Sequence, residues 1–316
     1  MTCKPCHARQ VQDQLASNHA RTLHLTTPAL EKALQPKLGS IIKGVMQLER
    51  SKQGFAMRIS GEPGDPLPIT HVFGSGKHGL TYVADLGRGE ALELSRSYLP
   101  KMLQYFITPG HEAQPLDNVG LVYKANQFSD CISCHTSGGE TPTHRDKLPE
   151  QVTGITCSGC HGPTADHVKS AKAGNAGIDN LRKFHKLGIG QANAACSQCH
   201  RQRAAVAEEN TEKEQTNRFQ MVGMMKSACY IKTNGELGCI TCHNPHQNVN
   251  NEAPSSHDQP CMQCHTTKSS ERHAWKNLPC SIGKQSNCVT CHMKTYPAFS
   301  KGSFPTQLAD HWIKKK

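Results

Sequence analysis

The sequence predicts a mainly α-helical chain with much irregular structure and a small β element around residues 55–95. Hydrophobic residues make up only 36% of the 316 residues and aromatic residues 5%, whereas Gly and Pro number 26 and 18. Such a composition supplies little apolar core for a chain of this length. Sixteen Cys and nineteen His are the compensating feature. We therefore expect a fold that is organised by bound groups in addition to apolar side chains.

Ordinary secondary structure is expected mainly before residue 131. The stretch 10–23 predicts a helix. Three stretches have the character of strands and are separated by turns that contain Gly: 55–60 (FAMRIS), 80–86 (LTYVADL) and 90–96 (EALELSR). After residue 131 we expect short helices joined by long loops, with the longest candidate helix at 200–228.

A five-residue pattern, Cys-x-x-Cys-His, occurs seven times and is the strongest signal in the sequence. Pentads 1 to 7 occupy residues 3–7, 131–135, 157–161, 196–200, 239–243, 261–265 and 288–292. Chance would give roughly 0.05 copies at these Cys and His frequencies, and the pattern is that of c-type haem attachment. Zinc sites also use paired Cys-x-x-Cys motifs, but zinc needs no His after every second Cys. The pattern therefore predicts seven c-type haems that organise the fold.

Each pentad contains the groups that covalent haem needs. Two thiols three positions apart reach the two vinyl groups on one porphyrin edge, and the adjoining His becomes the proximal iron ligand. The predicted attachment residues are Cys3, Cys6, Cys131, Cys134, Cys157, Cys160, Cys196, Cys199, Cys239, Cys242, Cys261, Cys264, Cys288 and Cys291. The predicted proximal ligands are His7, His135, His161, His200, His243, His265 and His292.

The spacing of the pentads divides the chain into two predicted regions. Residues 1–130 contain pentad 1 and a haem-poor α/β segment, whereas residues 131–316 contain the other six pentads. The six pentads of this region lie within residues 131–292, which leaves roughly 27 residues for each haem, too few to insulate one porphyrin from the next. We expect it to be one continuous haem-packed unit in which neighbouring porphyrins touch.

The net charge of +11 does not indicate a nucleic-acid partner. The positive residues are spread along the chain, with a run only at 313–316, and no zinc-finger or aromatic RNA-binding pattern is present. We interpret the excess as counter-charge for haem propionates. No apolar stretch reaches 18 residues, so no transmembrane segment is predicted. Because covalent haem attachment occurs outside the cytoplasm, we expect an exported protein, periplasmic or extracellular, whose signal peptide is not part of this sequence.

Twelve histidines lie outside the pentads and are candidates for the sixth iron positions. His246 follows the proximal ligand His243 by only three residues, which span at most about 11 Å. Two histidines on opposite faces of one haem have Cα atoms on the order of 12 Å apart or more. His246 is therefore predicted to bind the iron of a neighbouring haem. The same reasoning applies, less strictly, to His167, which follows His161 by six residues.

Four stretches carry a family resemblance. They are ITCSGCHGPTADHV, ELGCITCHNPH, NCVTCHMK with ADHWI, and VFGSGKHGLTYV with ALELSRSYL. Together they resemble a family of bacterial multihaem c-type cytochromes, in which this module often precedes tetratricopeptide repeats. That family is related more distantly to the cytochrome c-554 and hydroxylamine oxidoreductase group. The likeness covers nearly the whole chain in the same order.

The resemblance implies a set of distal ligands. They are His19, His78, His144, His167, His246, His257, His273 and His311, with His111 as a further candidate. His24, His71 and His185 are assigned to structural or surface positions. Two cysteines outside the pentads, Cys229 and Cys280, form either a disulfide or a pair of free thiols.

The motifs favour an electron-transfer conduit between redox partner proteins or like subunits, with no catalytic residues. Iron that is bound by two histidines has no position open for substrate. One alternative is a reductase or oxidase of small nitrogen or sulfur compounds, which would need one haem with an open distal side. Another is a subunit of an extracellular conductive filament. A zinc-dependent nucleic-acid-binding protein is the last alternative.

Overall fold

A computed structural model gives the fold of most of the chain. The residues that it describes are 3–27, 30, 32, 36–52, 54–137, 154–175, 181–200, 219–249, 254–265, 280, 283, 286–299 and 303–314. All seven pentads lie within these ranges. The predicted ligands His144 and His273, and most of the predicted helix at 200–228, lie outside the described residues.

The chain folds into two compact units. Unit 1 comprises Met1–Leu181 with Phe299–Pro305, and unit 2 comprises Arg182–Ala298 with Thr306–Lys316. Pentads 1, 2 and 3 therefore belong to unit 1, and pentads 4 to 7 belong to unit 2.

The described part of unit 1 contains an eight-stranded antiparallel sheet and a separate hairpin. In chain order, the strands are β1 (Leu23–Leu25), β2 (Gly39–Ile42), β3 (Met46–Ser51), β4 (Gly54–Ile59), β5 (Leu67–Phe73), β6 (Thr81–Gly87), β7 (Glu90–Leu94), β8 (Arg96–Leu99), β9 (Gln104–Ile107) and β10 (Gly120–Tyr123). The sheet has the order β10-β7-β6-β5-β4-β3-β2, and β1 pairs with the second half of β5. Strands β8 and β9 form the hairpin. Most of the pairs join strands that follow one another in the chain, which favours antiparallel pairing.

One face of the sheet buries the larger apolar core. Strands alternate their side chains between two faces, so β6 directs Tyr82 and Ala84 to one side and Val83 to the other. Tyr82 packs there with Phe55 of β4, their ring centroids 6.3 Å apart in an edge-on arrangement. Leu94 of β7 joins the same core and is fully buried. This face gives unit 1 an ordinary hydrophobic core that needs no cofactor.

The other face of the sheet carries the helix that contains pentad 2. Helix α2 (Ala125–His135) places Phe128 and Ile132, each 2% exposed, against Phe73 and Val83. The ring of Phe128 meets that of Phe73 edge-on with centroids 5.8 Å apart. The sheet is therefore a rigid platform for the pentad at the end of this helix.

Short helices occur in both units. In unit 1 they are α1 (Ala8–Ala16), α2, α3 (Cys157–His161) and α4 (Ala165–Lys172). In unit 2 they are α5 (Ile189–His200), α6 (Gln220–Lys226), α7 (Ala228–Lys232), α8 (Cys239–Cys242), α9 (Pro254–Met262) and α10 (Cys288–His292), accompanied by a hairpin of β11 (Thr295–Pro297) and β12 (Gln307–Ala309). Within the described residues, no helix is long and apolar enough to cross a membrane.

The prediction of a mainly α-helical fold with a small β element is wrong. The fold is mixed, and its sheet extends from residue 23 to residue 123 instead of occupying only 55–95. The low overall apolar content conceals a local concentration of buried residues in β3 to β8, which supports a core of its own. The predicted helix at 10–23 ends at Ala16, and a single 3-10 turn (His19–Arg21) then leads into β1.

Candidate haem sites

Each pentad folds locally as one turn of helix or as the end of a longer helix. Helices α3 and α10 coincide with pentads 3 and 7, and α2 and α5 end at the histidines of pentads 2 and 4. In pentad 1 the His7 N–H donates to the Cys3 carbonyl at 2.9 Å, and pentads 5 and 6 repeat this bond. Positions i, i+3 and i+4 share one face of a helix, so both thiols and the imidazole point to the same side. This is the arrangement that covalent haem attachment requires.

Two proximal histidines are already oriented by backbone carbonyl groups. His135 Nδ1 lies 3.2 Å from the Thr22 carbonyl oxygen, and His292 Nδ1 lies 2.8 Å from that of Lys314. A carbonyl oxygen only accepts, so each Nδ1 carries the proton and each Nε2 keeps its lone pair for iron. Burial lowers the pKa of His135, which keeps the ring in the neutral form that binds metal.

A second histidine faces the proximal ligand of pentad 1. The ring centroids of His7 and His167 lie 6.3 Å apart. An imidazole nitrogen binds a transition metal at about 2 Å, and its ring centroid lies about 1 Å further away, so two axial imidazoles have centroids about 6 Å apart. The observed separation therefore fits one iron between the two rings. His167 follows pentad 3 in the chain, in helix α4, but it lies beside pentad 1.

Two histidines approach the proximal ligand of pentad 5. The ring centroid of His243 lies 6.2 Å from that of His311 and 6.1 Å from that of His257. His311 Nδ1 donates to the Ala309 carbonyl at 3.1 Å, which leaves Nε2 for the metal. His257 instead has its Nε2 3.4 Å from the Val249 carbonyl. Burial lowers the pKa of His311 to about 4, so its ring is neutral at physiological pH. The geometry favours His311 as the partner of His243.

A cavity of about 560 Å³ opens beside pentad 5. Its lining includes Cys242 and His243 of pentad 5 and Gln259 and Pro260 of helix α9. Its volume lies in the range of small-molecule and cofactor pockets. The thiol, the imidazole and the space are thus adjacent, and the residues present fit a haem at this position.

The first cysteines of different pentads meet in pairs. Burial and a hydrogen bond to the Cys3 thiol raise the pKa of Cys157. A hydrogen bond to Cys239, together with burial, raises the pKa of Cys196 far above its ordinary value. In each case the porphyrin edges that these thiols would hold must also be neighbours. Pentads 1 and 3, and pentads 4 and 5, are therefore adjacent.

Pentads 5, 6 and 7 continue this series in unit 2. Burial raises the pKa of Cys261 to about 12, with the nearby thiols of Cys288 and Cys242 adding to the effect. The thiol of Cys288 in turn has the Cys261 thiol as a close neighbour. Asp258, which is 8% exposed, accepts the backbone N–H groups of Asn287 and Cys288 at 2.7 and 2.8 Å. An attachment thiol of pentad 4 is therefore near one of pentad 5, one of pentad 5 is near one of pentad 6, and one of pentad 6 is near one of pentad 7.

Pentads 2 and 3 are joined in unit 1 by a hydrogen bond between the residues that flank them. Thr156, the residue before pentad 3, donates its N–H to Ser137 Oγ at 2.6 Å, and Ser137 follows pentad 2 by two residues. The Ile155 N–H donates to the carbonyl of His19 at 2.7 Å. The predicted ligand His19 therefore lies in a turn next to pentad 3.

His78 and His246 are the predicted ligands that remain among the described residues. His78 is exposed in the loop after β5, and half-buried His246 lies in the turn after pentad 5, where its N–H donates to Asn244 Oδ1 at 3.1 Å. Of the residues assigned to structural or surface positions, His71 is buried in β5 and His185 is exposed.

A buried polar network beside pentad 2 has no signal in the sequence. His111, 2% exposed, has its Nε2 3.0 Å from Glu93 Oε2, and the same oxygen accepts the Tyr123 hydroxyl at 3.2 Å. The pairing of His111 with a carboxylate in the sheet gives this further candidate ligand a structural role. The three residues of this network come from β7, β10 and the loop between β9 and β10, so only the fold brings them together.

Cys229 and Cys280 are separate free thiols in the structure. Burial raises the pKa of Cys229, and the thiols of Cys264 and Cys242 are its close electrostatic neighbours. Cys229 therefore lies among the attachment cysteines of pentads 5 and 6.

Comparisons with known proteins find similarity to multihaem cytochromes. Residues 109–162 match the family model of cytochrome c554 and c-prime. The multihaem cytochrome MtrA of Shewanella baltica is 23% identical over 196 residues, and the match covers 50% of this chain and 58% of that protein's length. The chain thus spans somewhat more than half of this relative.

Two solved structures match the chain over nearly its whole length. The outer cell wall cytochrome OcwA superposes with a TM-score of 0.54 at 15% identity, covering 99% of this chain and 78% of that one. An undecahaem cytochrome from the S-layer of Carboxydothermus ferrireducens has a TM-score of 0.47 at 15% identity, with 99% and 51% covered. The OcwA match shows that the mixed fold described above also occurs in a cytochrome. Taken with the motifs, these findings confirm that the chain is related to the multihaem c-type cytochromes.

Proposed function

We propose that the chain is a heptahaem c-type cytochrome that transfers electrons between redox partners through haems bound by two histidines. The observation that carries this proposal is the separation of the two histidine pairs. His7 and His167, and His243 and His311, have ring centroids 6.3 and 6.2 Å apart, the spacing that one iron between two imidazoles demands. When bound, each haem supplies an iron that gains or loses one electron.

The role of the protein is to occupy both axial positions of the iron and to hold the iron in place. A histidine on each face leaves no position for a substrate, so such a site exchanges electrons without binding small molecules. Backbone carbonyls fix the tautomers and orient the rings of His135 and His292. A fixed ring changes little between oxidation states, which favours rapid electron exchange.

The order of the thiols supports a path along each unit. In unit 2 the contacts Cys196–Cys239 and Cys261–Cys288 pair pentads 4 with 5 and 6 with 7, and Cys261 has Cys242 nearby. In unit 1, pentads 1 and 3 meet through Cys3 and Cys157. These adjacencies are those of a conduit, in which each haem has another within short reach.

The number of haems, the location and the partners follow from the same reasoning. All seven pentads form the required helical turn, so we assign one haem to each. Haem attachment outside the cytoplasm, together with the outer-cell-wall setting named for the structural relative OcwA, supports a periplasmic or extracellular protein. The partners are other redox proteins or further copies of this chain.

Haem counting and spectroscopy test this proposal. A pyridine haemochrome assay on purified protein should give seven haems for each chain, and the variant C288A/C291A should give six. The ferric electron-paramagnetic spectrum should be dominated by low-spin signals, and the reduced protein should not bind carbon monoxide. Strong carbon monoxide binding by the unaltered protein would instead support the reductase or oxidase. A count near zero would refute haem binding.

A further inference from the structure

We infer that the C-terminal segment Asp310–Lys314 is a clamp that sets the iron ligands of two haem sites together, those of pentads 5 and 7. This inference rests on the proposed function, because it takes His311 as the distal ligand opposite His243. Its new content is the role of Gly223 and Ser227, which belong to no haem motif, as positioning residues. Both lie on or next to helix α6 in unit 2.

Gly223 allows the clamp to touch helix α6. A Cβ at this position would lie 2.7 Å from the backbone nitrogen of Trp312 and 2.9 Å from the carbonyl carbon of His311. Gly223 is itself buried, so the clamp lies directly on the helix backbone. A larger residue would push His311 away from pentad 5.

Ser227 holds the clamp from the end of the same helix. Its hydroxyl donates to the His311 carbonyl at 2.9 Å and accepts the Ile313 N–H at 2.8 Å. Ser227 is 0% exposed, so water does not readily replace these bonds. One side chain therefore fixes the backbone on both sides of Trp312.

The clamp is also stiffened from within. Asp310, 4% exposed, accepts the Trp312 N–H at 2.9 Å, and its own N–H donates to the Lys294 carbonyl at 2.8 Å. The Lys314 ammonium lies 3.7 Å from the centroid of the Trp312 ring and 3.9 Å from Asp310 Oδ2. Displacement at one end of such a segment is transmitted to the other end.

The other end of the clamp serves pentad 7. The Lys314 carbonyl accepts the Nδ1–H of His292 at 2.8 Å, and the Lys314 N–H points back to the His292 carbonyl at 3.4 Å. A hydrogen bond to Nδ1 raises the basicity of an imidazole ligand and so stabilises the oxidised metal. Pentads 5 and 7 are thereby coupled through five residues of backbone.

The displacement of the clamp in Gly223→Ala should exceed the variation in metal–ligand distance that an iron site tolerates. In Gly223→Ala the clamp must retreat by roughly 0.8 Å to restore ordinary contacts of about 3.5 Å. Metal–ligand distances vary by only about 0.2 Å in functional sites. The His311 nitrogen should therefore leave bonding range of its iron, and the Lys314 carbonyl should move relative to His292.

The test is the fully haem-loaded protein carrying Gly223→Ala, compared with Gly190→Ala. Gly190 is a matched control because it also lies in a helix, α5, and an added Cβ there meets nothing within 4 Å. Gly223→Ala should convert about one haem equivalent to a high-spin ferric signal and raise the midpoint potential of one further haem. Gly190→Ala should leave the ferric spin-state spectrum and the midpoint potentials unchanged. Loss of the pentad 5 haem by C239A/C242A should abolish the high-spin signal of Gly223→Ala.

Ser227→Ala keeps the inference falsifiable if Gly223→Ala folds poorly. It should give the same two changes to a smaller extent, whereas Ser129→Ala, which removes a local helix hydroxyl in α2, should give neither. His311→Ala should produce the high-spin signal by direct loss of the ligand. If His311→Ala alone gives that signal, the clamp is refuted and the proposed ligand stands. If His311→Ala leaves every haem low-spin, the proposed ligand itself is wrong.

Discussion

Replacing His167 by Ala should open the iron at pentad 1, although His167 follows pentad 3 in the chain. The ring of His167 lies 6.3 Å from that of His7, with an angle of 33° between the ring planes. Alanine removes the imidazole and leaves the helix intact, since Ala is the best helix former and position 167 lies inside α4. The pentad 1 haem should therefore stay attached through its two thioethers but lose its sixth ligand.

The size of the effect follows from counting ligands. One iron in seven becomes five-coordinate, so about one seventh of the ferric haem should change to high spin, and about one haem equivalent should bind carbon monoxide after reduction. No nearby histidine on the short α4 helix can substitute. The remaining haems should keep their low-spin spectra.

The assay is electron-paramagnetic resonance of the oxidised protein together with carbon monoxide titration of the reduced protein. His185→Ala is the matched control, because His185 is exposed and lies in a 3-10 turn outside every pentad. The double replacement C3A/C6A, which removes the pentad 1 haem, should eliminate the high-spin signal of His167→Ala.

Two results would refute this reasoning. If His167→Ala leaves the spectrum fully low-spin, the ring pair is only a contact between two histidines. If the high-spin signal survives in the C3A/C6A background, His167 binds a different iron. The second result would preserve the ligand but refute the assignment to pentad 1.

Further predictions concern the platform that carries pentad 2. Phe128→Ala should lower the free energy of unfolding by about 3–5 kcal/mol in urea titrations, because the ring is 2% exposed between sheet and helix. Val122→Ala is the control: its side chain is 54% exposed, so the free energy of unfolding should change by less than about 0.5 kcal/mol. Glu93→Ala should cost about 1–3 kcal/mol in the same titration because buried His111 loses its acceptor, and an unchanged midpoint would contradict the network. Gly79→Ala should also cost about 1–3 kcal/mol, since φ is 144° and the new Cβ would lie 2.5 Å from a phenylalanine ring; equal stability would show that the loop relaxes freely.

The chemistry of the pentads was predictable because it is local. Two thiols and an imidazole within five residues need only one helical turn to face the same side, and that turn forms in each pentad. The strands at 55–60, 80–86 and 90–96 were recognisable for a similar reason. Strand β5 was not, because LPITHVF contains a proline and a histidine, and its burial arises from neighbours on both sides.

The assembly of the sites depends on contacts across long stretches of chain. His167 meets His7 across 160 positions, and no spacing rule predicts which pentad a histidine will face. The chain-length argument for His246 excluded its own haem, and the iron that it binds stays a prediction. The backbone acceptors of Thr22 and Lys314 leave no trace in sequence, because every residue has a carbonyl. Such partners became visible only when the fold brought the segments together.

The central claim is that a pair of histidines encloses one iron at pentad 1 and another at pentad 5, and that pentads 4 to 7 lie in series. An experimental structure of the haem-loaded protein that locates the irons tests it most directly. The account predicts iron within about 2 Å of Nε2 of both His7 and His167, and likewise of both His243 and His311. It also predicts that the irons of pentads 4, 5, 6 and 7 follow one another in that order. A water molecule or an empty position opposite His7 or His243, or a break in that series, would contradict it.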